Sequence, residues 1–326
     1  MSEFESSPPC VLGAHENVSP ADFRELTASI PDAFGPFEIV TFLYLTWLVA
    51  LFTIFHTHID HPFRKIAVHA AIAIAIAWLS VASKKGGARS TQFARHWYPL
   101  PLYIFFFEEL GTFVHAIFPG WFDDYLIRFD YSIAHVHPSV WLARFATPAL
   151  NDYMQFAYMT YFLYLVILPT VLYANGEMHS FWRVMTSTAI AHYTVYVTAI
   201  LFPIESPHFA LASLAQPALN GGYCTAVINF IERFGRVHGA AFPSAHVAGS
   251  MVAIVASWHY RRWLFWACLP FFASMCVATV YGRYHYVADV LAGLVLGWLA
   301  FQAGTAFSEK RMFATDDVRL KTTGIA

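Results

Sequence analysis

The sequence predicts an all-α, polytopic integral membrane protein: one helical bundle with six to eight transmembrane helices. Three observations carry that prediction. Charged residues make up only 12% of the 326, about half the share of an average soluble domain. Hydrophobic residues reach 58%, aromatic ones 18%, and mean hydropathy is +0.50. The apolar residues also gather into stretches near the roughly 20 residues that a spanning helix needs. A water-soluble globule of this length needs more charge to cover its surface.

Taken in chain order, a polar segment over 1–34 comes first. Ser19-Pro20-Ala21-Asp22 reads as an N-cap, a first-turn Pro and a capping acid, which predicts a short surface helix near 20–30. Apolar stretches follow at 37–56, 66–83, 98–118, 152–174, 181–203, 245–259, 263–281 and 286–306. The third contains Glu108 and Glu109, and an acid at membrane depth is costly unless it faces a polar interior. It is therefore either a span or an interfacial or re-entrant segment. Between the third and fourth stretches, 119–151 is rich in Trp, Tyr, Phe and Pro, which suits a helix lying among lipid head groups. A charged tail, 307–326, closes the chain. The expected organisation is one membrane domain over 35–306 between two polar ends.

Charge and cysteine content exclude several classes. Nineteen Lys and Arg stand against twenty-one Asp and Glu, so no basic footprint for nucleic acid exists. Four scattered cysteines make no disulfide framework. Glu3, Glu5 and Glu16 argue against a cleaved signal peptide. If all eight stretches cross, twelve of the nineteen basic residues lie on one side, with Lys84, Lys85, Arg261 and Arg262 in short loops. Excess basic charge marks the cytoplasmic side, so both termini are expected there.

Two short motifs carry chemistry. In Phe242-Pro243-Ser244-Ala245-His246 a loop runs into the sixth stretch. Pro and Ser start helices, and the free N–H groups of a first turn, with the Ser244 hydroxyl, suit a phosphate oxyanion. His246 would stand beside that anion. In Arg283-Tyr284-His285-Tyr286-Val287-Ala288-Asp289 the histidine and the carboxylate are four apart and share a helix face. The carboxylate can hold the Nδ1 proton and leave Nε2 as nucleophile or base. Two crossings separate the motifs, so both histidines must emerge on one side, the extracytoplasmic one by the charge bias. Singly, each motif is as readily a helix cap or a structural pair; together they point to function.

These residues are where the chain resembles a known family. Pro243-Ser244-Ala245-His246 with His285-x-x-x-Asp289 is similar to the type-2 phosphatidic acid phosphatase superfamily of metal-independent lipid phosphate phosphatases and phosphotransferases. The flanking residues, with Tyr158-x-x-Tyr161-Phe162 upstream, resemble most the inositol phosphorylceramide synthase branch. The resemblance implies His285 as nucleophile, Asp289 as its orienting partner, His246 as the acid on the leaving oxygen and Ser244 on the phosphate. It implies no metal and no cofactor, a phospholipid donor and a lipid alcohol or water as acceptor. Two departures stand out: no Arg-Pro dipeptide occurs, and Thr279 occupies the place, six before the histidine, where the family has Arg. The phosphate clamp must then come from other cations, the candidates being Arg283, Arg236, Arg233, His238 and His208.

Among the remaining residues, His56, His58, Asp60 and His61 form a cluster readable as a metal site or, better, as an interfacial loop. Glu108 and Glu109 either line a polar head-group cavity or divide into one snorkelling and one structural acid. His135 and His137 are interfacial residues within possible reach of substrate. His69, His115 and His192 read as satisfied interior histidines. A rival of another class is a transporter whose histidines and Glu108/Glu109 conduct ions; a non-catalytic lipid-binding protein is a third reading.

Overall fold

The computed structural model describes residues 34–214, 218–235 and 237–322; the expected surface helix near 20–30 and Arg236 lie outside them. The described chain is helical, with one isolated parallel bridge between Ile204 and Ala240. Six of its helices are long and apolar enough to cross a membrane. The protein is an integral, multi-pass membrane protein.

Helices α1 (Pro36–Ile54) and α2 (Pro62–Lys84) form an antiparallel pair. Each has Pro in its first turn, where the missing amide costs nothing. Next come α3 (Arg89–Trp97) and α4 (Pro99–Leu110). Pro99 withholds the N–H that would continue the ladder, and the chain breaks there. The expected third stretch, 98–118, is preceded by the basic α3 and is helical only to Leu110, where turns from the Thr112 and Phe113 amides to the Glu109 and Leu110 carbonyls end it at Gly111.

Polar pairs show how deep these two helices reach. Arg95 donates to Glu38 at the start of α1 (3.0 Å). At the opposite end Glu109 accepts from Lys65 (3.0 Å) and faces Nε2 of His69 (3.1 Å). Between Arg95, paired at the start of α1, and Glu109, paired at the start of α2, the chain of α3 and α4 rises about 21 Å at 1.5 Å per residue. The two acids divide as one of the two readings has it: Glu109 is tied into this cluster, while Glu108 is exposed.

The second half is built from α7 (Pro148–Ala174), α8 (Met178–Leu201), α11 (Ala245–Tyr260), α12 (Arg262–Tyr281) and α13 (Val287–Thr322). Helix α13 continues through most of the expected charged tail. Helix α11 is the shortest of the five and packs against the other four. Its buried face is made of small residues, among them Ala245, Ala248, Gly249, Ala253 and Ala256, which let neighbouring backbones approach. Gly293 and Gly297 do the same from α13: a Cβ on Gly297 would lie 2.4 Å from the Ala248 carbonyl oxygen.

Four short helices lie where α7, α11 and α13 begin: α5 (Asp123–Ala134), α6 (Pro138–Leu142), α9 (Pro207–Ala210) and α10 (Tyr223–Gly235). Helix α5 presents Asp123, Leu126 and Asp130 inward and Tyr125, Phe129 and Ile133 outward, an amphipathic pattern in the segment expected to lie among head groups. Basic pairs gather at the other end, with Arg183 on Glu309 (3.0 Å) and Arg261 on Glu177. Among the described residues no three His, Cys, Asp or Glu side chains group as metal ligands. His56 and His58 turn Nδ1 to the carbonyls of Thr53 and Ala116.

Candidate active site

The close packing of α11 and α13 brings the two motifs together. The rings of His246 and His285 lie 6.0 Å apart, edge to face. Main-chain bonds lock the motifs in register: the Ser244 amide donates to the Asp289 carbonyl (3.1 Å), and the amides of Tyr284 and His285 both donate to the Thr279 carbonyl. Thr279, standing where the family pattern has Arg, is fully buried beneath this turn.

His285 is 5% exposed. Its Nδ1 lies 2.8 Å from the Ala241 carbonyl oxygen and 3.3 Å from Oδ2 of Asp289. A carbonyl only accepts, so Nδ1 carries the proton and Nε2 bears the lone pair. Asp289 is fully buried, and Oδ2 also accepts the Tyr286 amide (2.7 Å). The expected pair is present, with a partner that the spacing of His285 and Asp289 does not reveal: a carbonyl from the other motif.

Ser244 caps α11, its Oγ accepting from the Val247 amide (3.3 Å), and it is fully buried. Both start signals at this helix, Pro243 and Ser244, are thus used as written. Half-buried His246 lies against Tyr158 (ring centroids 4.5 Å) and Tyr161 (4.4 Å). Tyr158 in turn stacks on Tyr284 (4.4 Å), whose hydroxyl donates to Gln155 (3.1 Å).

Among the candidate cations, Arg283 sits in the turn that precedes His285, buried and at φ 65°. Burial lowers its pKa, yet a guanidinium stays charged. Its carbonyl accepts the His208 amide (3.0 Å), which ties α9 to the turn. His238 faces Glu205 (3.6 Å) and is half-exposed. Arg233 is exposed on α10, and Arg236 lies outside the described residues.

Two acids on α5 escaped the sequence reading. Asp130 accepts from the amides of Val287 (2.9 Å) and Ala288 (3.0 Å), the first turn of α13. Burial pushes its carboxyl pKa up, and the two amide bonds oppose that rise. Asp123 accepts from the amides of Glu205 and Ser206 and from the Tyr286 hydroxyl (2.7 Å). Burial and this carboxylate raise the Tyr286 pKa, so the phenol keeps its proton and donates. The two acids stand seven apart on one face of α5, the only signal in the sequence that could have found them. A narrow crevice beside them is lined by Asp130, His137, Leu211, Val280 and His285.

A histidine whose Nε2 bears the lone pair, faced by a second histidine at a helix start, has the groups that nucleophilic or acid–base chemistry requires. The chain belongs to the type-2 phosphatidic acid phosphatase (PAP2) superfamily, whose family model matches residues 124–303. The matched segment runs from α5 to α13 and holds both motifs. No curated protein and no solved structure matches the chain. Superfamily membership makes it a phosphatase- or phosphotransferase-type enzyme of lipid phosphates.

Proposed function

We propose that the protein is a metal-independent lipid phosphotransferase that moves a phospho-head group, such as phosphoinositol, from a phospholipid to a lipid alcohol such as a ceramide. The observation that carries the reading is the His285 arrangement: Nδ1 protonated against Ala241 and Asp289, Nε2 free, and His246 across from it.

In the first step Nε2 of His285 attacks phosphorus, the bond to the lipid alkoxide oxygen breaks, and His246 gives that oxygen its proton. In the second, the acceptor hydroxyl attacks the phosphohistidine, its proton passes to His246, and His285 is released. The Asp289 carboxylate offsets the positive charge that forms on His285.

The two helix starts at this site are unequal. The first-turn amides of α13 are taken by Asp130, which also repels an anion. At α11 the amides of Ala245 and His246 serve the phosphate, with Arg283, buried in the turn two residues before His285, as its cation. Ser244 supports that turn as its cap. His208 acts through the turn it braces, and His238 and Arg233 of α10 serve at the rim.

Basic residues gathered at the opposite end, including Arg183 and Arg261, favour cytoplasmic termini and an extracytoplasmic site. Hydrolysis of a lipid phosphate or isoprenoid diphosphate is the alternative for the same residues, water replacing the alcohol. The absence of Arg-Pro and the place of Thr279 favour transfer. Thin-layer separation of labelled lipids, after incubation with phosphatidylinositol, ceramide and diacylglycerol, tests transfer, which a labelled phosphosphingolipid supports; free phosphate released from a lipid phosphate monoester or isoprenoid diphosphate without acceptor supports hydrolysis. Unchanged turnover in His285→Ala would overturn both.

A further inference from the structure

His285 is fixed by two acceptors, but among the described residues no hydrogen bond holds the His246 ring. Its orientation rests on two tyrosine faces, Tyr158 at 29° and Tyr161 at 49° to the imidazole plane. The two tyrosines are held differently. Tyr158 is half-buried and stacked on Tyr284. Tyr161 is 9% exposed and its hydroxyl lies 2.8 Å from Nε2 of His192 on α8.

The direction of that bond follows from the other nitrogen. Nδ1 of His192 lies 2.8 Å from the Thr188 carbonyl oxygen, which can only accept, so Nδ1 carries the proton of the neutral ring. Nε2 is then an acceptor, and the Tyr161 hydroxyl donates to it. His192 is itself immobile: it is 1% exposed and stacks on Tyr103 at 4.8 Å. Helix α11 leaves room for it at Gly249, one turn below His246, where a Cβ would lie 2.7 Å from Cε1 of His192. A chain of three groups, His192 to Tyr161 to His246, therefore runs from α8 to the site.

We propose that Tyr161 is a positioning residue that aims His246 at the leaving oxygen, and that His192 locks Tyr161 in the orientation this requires. The proposal rests on the reading of His246 as the acid of the first step.

The test exploits the leaving group. An acid on the leaving oxygen matters when an alkoxide departs and hardly at all when a stable phenolate does. Purified variants are assayed with a phosphatidylinositol donor, whose leaving group is an alkoxide, and with the 4-nitrophenyl ester of the same phospho-head group. His246→Asn should lose about 10³-fold on the lipid and less than about tenfold on the aryl ester, general acid catalysis contributing about 10²–10⁴. Tyr161→Leu should repeat that selectivity with a loss of about 30-fold on the lipid alone. Tyr161→Phe and His192→Phe, which keep the rings and the packing, should each lose about 3–10-fold on the lipid only, because they free the orientation without removing the face.

Equal losses on both substrates in the Tyr161 and His192 variants, or none, beside a selective His246→Asn, would overturn the positioning chain and leave His246 as the acid. An unselective His246→Asn would overturn the reading of His246 and the proposal with it.

Discussion

The shortest contact of the His285 side chain is with main chain: Nδ1 lies 2.8 Å from the Ala241 carbonyl oxygen, against 3.3 Å from the Asp289 carboxylate. The tautomer that exposes Nε2 is therefore held by a group that no side-chain substitution removes. Asp289 contributes charge and a second restraint, and it ties the turn through the Tyr286 amide.

His285→Ala and Asp289→Asn should consequently differ widely. Loss of the nucleophile is expected to lower turnover by about 10⁴-fold or more. Asp289→Asn keeps the tautomer through Ala241 and should lose about 10²-fold, the scale of an orienting partner. Initial rates with labelled lipid measure both. Equal losses would mean that the carbonyl does not hold the ring.

Asp130 links α5 to the helix that carries His285 and Asp289. In Asp130→Ala the amides of Val287 and Ala288 lose their acceptor, and caps of this kind are worth about 0.5–2 kcal/mol. The expected result is a fall of about 2–6 °C in the unfolding midpoint in detergent and an activity loss of about tenfold. Asp130→Asn retains one acceptor oxygen and should fall between. A stable variant with full activity would show that the cap is dispensable.

Contact between α11 and α13 requires the absence of a side chain at Gly297, where a Cβ would meet the Ala248 carbonyl oxygen at 2.4 Å. Gly297→Leu should force the helices apart at a cost of about 1–3 kcal/mol. Because it widens the 6.0 Å spacing of the two histidines, turnover should fall far more than the unfolding midpoint. Parallel melting and rate measurements test this, and proportionate losses would contradict it.

Chelation provides a fourth test. If histidine is the nucleophile and Arg283 the phosphate's cation, as proposed, incubation with EDTA followed by gel filtration should leave lipid turnover within about twofold of the untreated rate. Loss of activity restored by a divalent cation would defeat the metal-independent reading.

The membrane architecture was legible because its cause is local: long apolar runs and first-turn prolines state the helices without reference to their neighbours. The histidine pairing was legible for a different reason, since two crossings return the chain to the side it left. What escaped the sequence depends on partners far away in the chain. Asp130 acts on main-chain amides of Val287 and Ala288, which every residue type supplies, so nothing in the sequence around 287 announces the contact. Ala241 works through its carbonyl for the same reason. The 98–118 stretch was misjudged in extent because its helix ends at Leu110, before Gly111, where the amides of Thr112 and Phe113 turn back to the carbonyls of Glu109 and Leu110 within a run that stays apolar in composition.

The junctions that hold this site, Ser244 to Asp289, Ala241 to Ile204 and His208 to Arg283, are all bonds between backbone atoms. Such a frame is indifferent to the identity of the side chains it presents. Crevice-lining residues such as His137, Val280 or Leu211 can change without breaking these bonds. Substrate preference in this architecture is thus evolutionarily cheap to alter, and retargeting by design is best begun at those positions.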